Sequence, residues 1–110
     1  MPQYLTDLPT LISRKKMRIP YINNRFILLA YIDNQVYAIQ DKCPHMGASL
    51  YPGKIEDDVV FCKDHNLGIS LRTGVVVNDS QADFLRLDTY NRYVKTYKVI
   101  VKDGKIYLDN

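Results

Sequence analysis

The chain has 110 residues, with 46% apolar and 25% charged side chains and only five Gly and five Pro. That length holds one domain, and the composition excludes a disordered, collagen-like or low-complexity chain. A net charge of +3 is too small to argue for nucleic acid by itself, and two cysteines exclude a disulfide-dense secreted framework.

The opening Pro2-Gln3-Tyr4-Leu5-Thr6-Asp7 lacks the basic start and apolar run of a secretory signal. Leu8 to Ile12 reads as at most one short helical turn after Pro9, and no window of the chain is a convincing amphipathic helix. The basic run Arg14-Lys15-Lys16-Met17-Arg18 reads as the solvated edge of a strand, where Lys discourages edge pairing, rather than as a nucleic-acid patch. From there the period is two. Met17–Ile22, a turn at Asn23-Asn24, Phe26–Ile32, a turn at Asp33-Asn34 and Val36–Ile39 form successive hairpins. Phe26–Ile32 is the longest apolar run, far short of the roughly 20 residues of a membrane helix.

The alternation breaks from Asp41 to about Gly53 and again from Asp64 to Gly74, where Pro44, Gly47, Pro52, Gly53, Gly68 and Gly74 mark loops. Glu56-Asp57-Asp58 reads as a turn before a short strand at Val59–Phe61. Loops of this length in a compact domain are functional or held by a metal. Tyr93–Lys102, Asp103-Gly104 and Lys105–Leu108 then form the strongest hairpin, since Asp-Gly suits the type I′ turn. The pattern predicts one all-β domain over 1–110, made of small antiparallel sheets with a loop subdomain at about 41–74. No lipidation signal closes the chain, and the expectation is a soluble, cytoplasmic protein with no membrane contact. The nine Tyr are spread through strands rather than interleaved with basic residues, which disfavours nucleic-acid stacking platforms.

Every Cys and His lies between positions 43 and 65, as Cys43-Pro44-His45 and Cys62-Lys63-Asp64-His65, with 16 residues between His45 and Cys62. Two thiolates and two imidazoles make a complete four-ligand set for one tetrahedral zinc or for the two irons of a [2Fe–2S] cluster. Structural zinc sites usually space like with like, whereas here each loop gives one of each. Both metals stay open on these grounds.

The stretches Cys43-Pro44-His45-Met46-Gly47-Ala48-Ser49-Leu50-Tyr51-Pro52-Gly53 and Cys62 to Gly74 resemble the cluster-binding segment of Rieske ferredoxins. The likeness extends over about residues 20–108. It implies a Rieske-like fold of three small antiparallel sheets, a Rieske-type [2Fe–2S] cofactor held by Cys43, His45, Cys62 and His65, and one-electron transfer rather than catalysis. Several positions depart from the family. Asn66 stands where Gly commonly follows the second His, and Asn is the most permissive substitute at positive φ. Ala48 and Asp64 occupy the positions of the extra disulfide cysteines of respiratory members. Leu67 and Ile69 replace hydroxyl residues that donate to sulfur, so the resemblance implies a potential at the low end of the Rieske range.

The reading is therefore an electron carrier between a donor reductase and an acceptor enzyme, a dioxygenase or a nitrite reductase among them, docking near His45 and His65. A zinc-stabilised binding module is the alternative. A mononuclear iron oxygenase would need two further His that the chain lacks, and without a Gly-x-Gly-x-x-Gly fingerprint the electrons come from a separate reductase. Leu50 and Tyr51 would either cover the cluster or form part of the docking surface.

Overall fold

The computed structural model describes residues 2–21 and 24–109. Among these, nine strands form three antiparallel sheets of three strands each. The first is built from β1 (Gln3–Asp7), β8 (Val99–Lys102) and β9 (Lys105–Leu108), in the order β1-β9-β8. The second is β2 (Lys16–Pro20), β3 (Phe26–Ile32) and β4 (Gln35–Gln40) in chain order, and the third is β5 (Lys54–Glu56), β6 (Val59–Phe61) and β7 (Gly68–Ser70). Two helices, α1 (Leu8–Arg14) and α2 (Asp79–Phe84), and a 3₁₀ turn at Thr89–Asn91 complete the described elements.

The hairpins fall where the dipeptides put them. Asp33 and Asn34 take φ of 50° and 65°, and Asp103 and Gly104 take 53° and 73°, the left-handed pair that a two-residue turn between twisted strands requires. At the β2–β3 connection, Asn24 has φ 60° and the Tyr21 N–H donates to the Arg25 carbonyl. Ile22 and Asn23, the other residues of that expected strand end and turn, lie outside the described residues.

Four expectations are corrected. The turn at Leu8 is a seven-residue helix, because the Asp7 carboxylate accepts the Thr10 N–H at 2.8 Å and Pro9 sits in the first turn. A second helix, α2, stands in a stretch where no periodicity announces it. Lys54–Glu56 and Gly68–Ser70, inside or beside the expected loops, are strands; each has only three residues, too few to show a period, and each is specified by pairing with β6. The last hairpin is shorter than expected. Its first strand begins at Val99, and the preceding stretch instead links the sheets: the Val94 N–H donates to the Gly74 carbonyl, the Gln40 N–H to the Lys95 carbonyl and the Tyr97 N–H to the Ala38 carbonyl.

The fully apolar run of β3 has a structural reason. Its residues alternate between two separate cores, as side chains of a strand must. Ile27 and Leu29 face one side, with Leu11, Ala38, Ile106 and Leu108. Leu28 and Ala30 face the other, with Ile39, Leu50, Val60, Leu67, Ile69 and both cysteines. Leu28 and Leu29 are each fully buried, so truncating either to Ala is expected to cost about 2–5 kcal/mol in urea unfolding. The two variants separate in a second measurement: thiol labelling of Cys43 and Cys62 speeds up in Leu28→Ala and stays at the wild-type rate in Leu29→Ala.

Candidate metal centre

Both loops that carry Cys and His are closed by the same backbone ring. In the first, the Cys43 N–H donates to the Ala48 carbonyl at 2.7 Å, and the Gly47 N–H returns to the Cys43 carbonyl at 2.8 Å. In the second, the Cys62 N–H donates to Leu67 at 2.9 Å and the Asn66 N–H to Cys62 at 2.8 Å. The fourth residue after each cysteine is left-handed, Gly47 at φ 74° and Asn66 at φ 54°. Asn66 thus keeps the backbone path that a glycine would take. Against this common frame His45 leaves from the second position after its cysteine and His65 from the third.

The loops bring all four predicted side chains together. Cys43 and Cys62 are each 1% exposed and share one core, near enough that each affects the ionisation of the other. The two imidazoles meet edge to face, with ring centroids 4.4 Å apart and planes at 88°. His45 Nδ1 is buried and has no hydrogen-bond partner, a costly state for a ring nitrogen that has nothing to bind. Burial pushes the Cys43 thiol up to about 11, against the N–H groups of His45 and Met46 that point at its sulfur and pull it down. A metal entering there takes the place of the thiol proton.

Sulfur thus pairs with sulfur and ring with ring. Among the described residues, no three His, Cys, Asp or Glu side chains gather closely enough to hold a single ion. That pairing does not favour the zinc alternative, which needs all four donors around one centre. Two separate pairs, one thiol and one imidazole, are what the two irons of a Rieske centre use, and the donor set fits such a cluster.

The residues that hold the loops were not singled out by sequence. Asp41, with a fully buried carboxylate, accepts the Leu50 and Tyr51 N–H groups at 2.8 Å each and the Arg18 Nε at 2.6 Å. Lys16 Nζ donates to the Tyr51 and Gly53 carbonyls, and its burial lowers the pKa of its ammonium group. β2 is an edge strand as expected, yet two cations of its basic run turn inward to the first loop. Leu50 is fully buried in the core that contains both cysteines, so it covers the site and offers no docking surface. Beside the second loop, Asn78 donates to the Asn66 carbonyl at 3.0 Å and accepts the Gly68 N–H at 2.9 Å, while Gln81 donates to the His65 carbonyl at 2.6 Å. Arg92 fastens α2 from the far side, donating to the Leu87 carbonyl and to Asp83.

A family model described as the Rieske [2Fe-2S] domain matches residues 4–98. The chain is 37% identical over 83 residues to the 3-phenylpropionate/cinnamic acid dioxygenase ferredoxin subunit of Photorhabdus laumondii subsp. laumondii, covering 74% of this chain and 70% of that one. Among solved structures, Sphingomonas yanoikuyae B1 ferredoxin superposes with a TM-score of 0.79 at 18% identity, over 100% of this chain and 99% of that one. A chain of the complex of reduced oxygenase and oxidized ferredoxin in carbazole 1,9a-dioxygenase gives 0.80 at 20% identity, over 97% and 91%. These structural likenesses bear out the fold of three small antiparallel sheets.

The left-handed turn at Asn66 is open to test by substitution. Asn66→Gly is expected to change stability by less than about 1 kcal/mol, whereas the β-branched Asn66→Val costs about 1–3 kcal/mol at this φ. Denaturant midpoints of the two variants check the difference.

Proposed function

The chain belongs to the Rieske [2Fe–2S] domain family, and on that footing we propose that it carries single electrons from a reductase to an acceptor oxygenase, with Cys43, His45, Cys62 and His65 as cluster ligands. It is an electron carrier rather than a catalyst, and the family's cofactor is a Rieske-type [2Fe–2S] cluster. One observation carries the ligand assignment: the unpartnered, buried Nδ1 of His45, in a ring packed against His65, beside two cysteines buried in one core. Cys43 and Cys62 would hold one iron and His45 and His65 the other. When bound, the group accepts and returns one electron.

The surrounding side chains divide the work. Both cysteines, with Leu50 and Leu67, lie in the core and keep water from the sulfur side. The imidazoles are only half-buried, and Met46, next to His45, is 70% exposed. Tyr93 lines the same cleft as His45. A partner therefore docks around His45 and His65, where the electron path is shortest, and the small contact suits a carrier that must leave quickly. The oxygenase as acceptor is favoured by the relative named as a dioxygenase's ferredoxin subunit. The reading takes residues 1–110 as one domain with the cluster part at about 41–74, working in the cytoplasm without nucleic acid. No helix among the described residues is long and apolar enough to cross a membrane.

The potential follows from what approaches the sulfurs. Leu67 and Ile69 are fully buried and give no hydroxyl, leaving the His45 and Met46 backbone N–H groups as the donors to the Cys43 sulfur. Asp64 adds an exposed negative charge between the second pair of ligands. Fewer donors to sulfur favour the oxidised state.

Purified protein is expected to contain about two irons and two acid-labile sulfides per chain and to take up one electron on reduction. Its midpoint potential is expected near the low end of the range of about −150 to +300 mV, and a value above about +100 mV overturns the account. Ile69→Tyr, which offers a hydroxyl, raises the potential; Cys62→Ala abolishes the cluster without converting the site to zinc binding.

A further inference from the structure

Among the described residues, Asp41 is the one buried acidic residue, and its carboxylate lies wholly buried beside the first loop. Its backbone N–H donates to the Phe26 carbonyl at the start of β3, which roots the residue in the second sheet. Both carboxylate oxygens are then used on the opposite limb of the loop. Oδ1 takes the N–H groups of Leu50 and Tyr51, and Oδ2 takes the Ser49 hydroxyl and the Arg18 guanidinium. Cys43 and His45 lie between the two limbs that this one side chain ties together.

The cation is itself fixed. The guanidinium carbon of Arg18 sits 3.6 Å from the centroid of the Phe26 ring, so the pair is pinned at the β2–β3 border. Lys16, two residues earlier and therefore on the same face of β2, reaches the Tyr51 and Gly53 carbonyls. Gly53 must pass close under Phe61, for a Cβ there would lie 2.1 Å from the Phe61 carbonyl oxygen. The returning limb is thus clamped at 49–51 by Asp41, at 51–53 by Lys16 and at 53 by β6.

A half-buried ion pair is a poor way to add stability: the Asp41 carboxylate is wholly desolvated while the Arg18 side chain is 40% exposed, and the cost of burying the anion offsets much of the attraction. It is a good way to fix a geometry, because a carboxylate with four donors has one arrangement that satisfies it. We propose that the Arg18–Asp41 pair is the positioning element of the first ligand loop: it sets where Cys43 and His45 stand, and its two charges act on the potential of the centre with opposite sign. The second half rests on the ligand assignment above; the first does not.

Three variants test it. Asp41→Ala removes every bond the carboxylate makes, and amide hydrogen exchange at Leu50 and Tyr51 is expected to accelerate by about ten- to a hundredfold while Leu29 keeps its protection. Asp41→Asn keeps an oxygen for the two N–H groups and loses the charge, so exchange at Leu50 and Tyr51 stays near wild type and the midpoint potential rises. Arg18→Gln leaves the carboxylate and removes the cation, so the potential falls. A merely structural link would shift both potentials the same way. Unchanged exchange at Leu50 and Tyr51 in Asp41→Ala overturns the positioning role, and potentials moving in one direction in the two charge variants overturn the electrostatic one. Should Asp41→Ala not fold, exchange in Arg18→Gln decides the first half, with faster exchange at Leu50 and Tyr51 supporting it and wild-type exchange refuting it. A wild-type protein without iron would sink the ligand assignment and leave the exchange arm intact.

Discussion

A cysteine carbonyl receiving the N–H of the residue four places on, while the cysteine's own N–H reaches one place further, is the arrangement on which the tip of the molecule depends. Loops have no ladder to satisfy their backbone groups, and each buried group left alone would cost free energy. The ring settles those of both cysteines and frees the N–H groups of His45 and Met46 to face the Cys43 sulfur. It also imposes a left-handed residue at its fourth position, which glycine supplies in one loop and asparagine in the other. The two frames match, the histidine stands one residue later in the second, and the imidazoles meet edge to face.

That tip is attached to the remainder through β3. A strand with both faces buried can serve two cores at once, and here one face joins α1 and the terminal sheet while the other joins the cysteines, Leu50 and Leu67. The ligand loops are therefore stabilised by packing against the second sheet as well as by Val60 and Ile69 of their own short strands. Three-residue strands are marginal alone and hold here because β6 pairs on both edges and packs into the same core.

What was legible in the sequence was local. Turn dipeptides such as Asp33-Asn34 and Asp103-Gly104 carry their conformation in their own side chains or lack of one, and the four ligands declare themselves by residue type. Lys16 and Arg18 show the limit. A basic run on an edge strand reads as solvated because nothing nearby in sequence needs a cation, yet their partners, Tyr51 and Asp41, are 35 and 23 residues away. Leu50 was ambiguous for the same reason: burial is a property of what surrounds it. Asn78 and Gln81 were invisible because their bonds go to another loop's carbonyls, and the helix that presents them has six residues and no apolar stripe.

The two loops are anchored by different chemistry, and the difference has a consequence for charge. The first is held by a carboxylate that has its own guanidinium; the second is held by neutral amides. The Arg18–Asp41 pair and the amides of Asn78 and Gln81 add no net charge, even though each makes several hydrogen bonds; only the Lys16 ammonium on the first loop does. The amide solution costs something locally. Asn78 stands at the N-cap of α2, where its side chain would ordinarily accept a helix N–H, a bond worth about 0.5–2 kcal/mol, and makes no such bond. Its oxygen goes instead to Gly68 and its nitrogen to Asn66. A helix that gives up its cap in this way is being held by the loop and by Arg92 as much as it holds them, which makes α2 a buttress of the second ligand pair rather than an independent element.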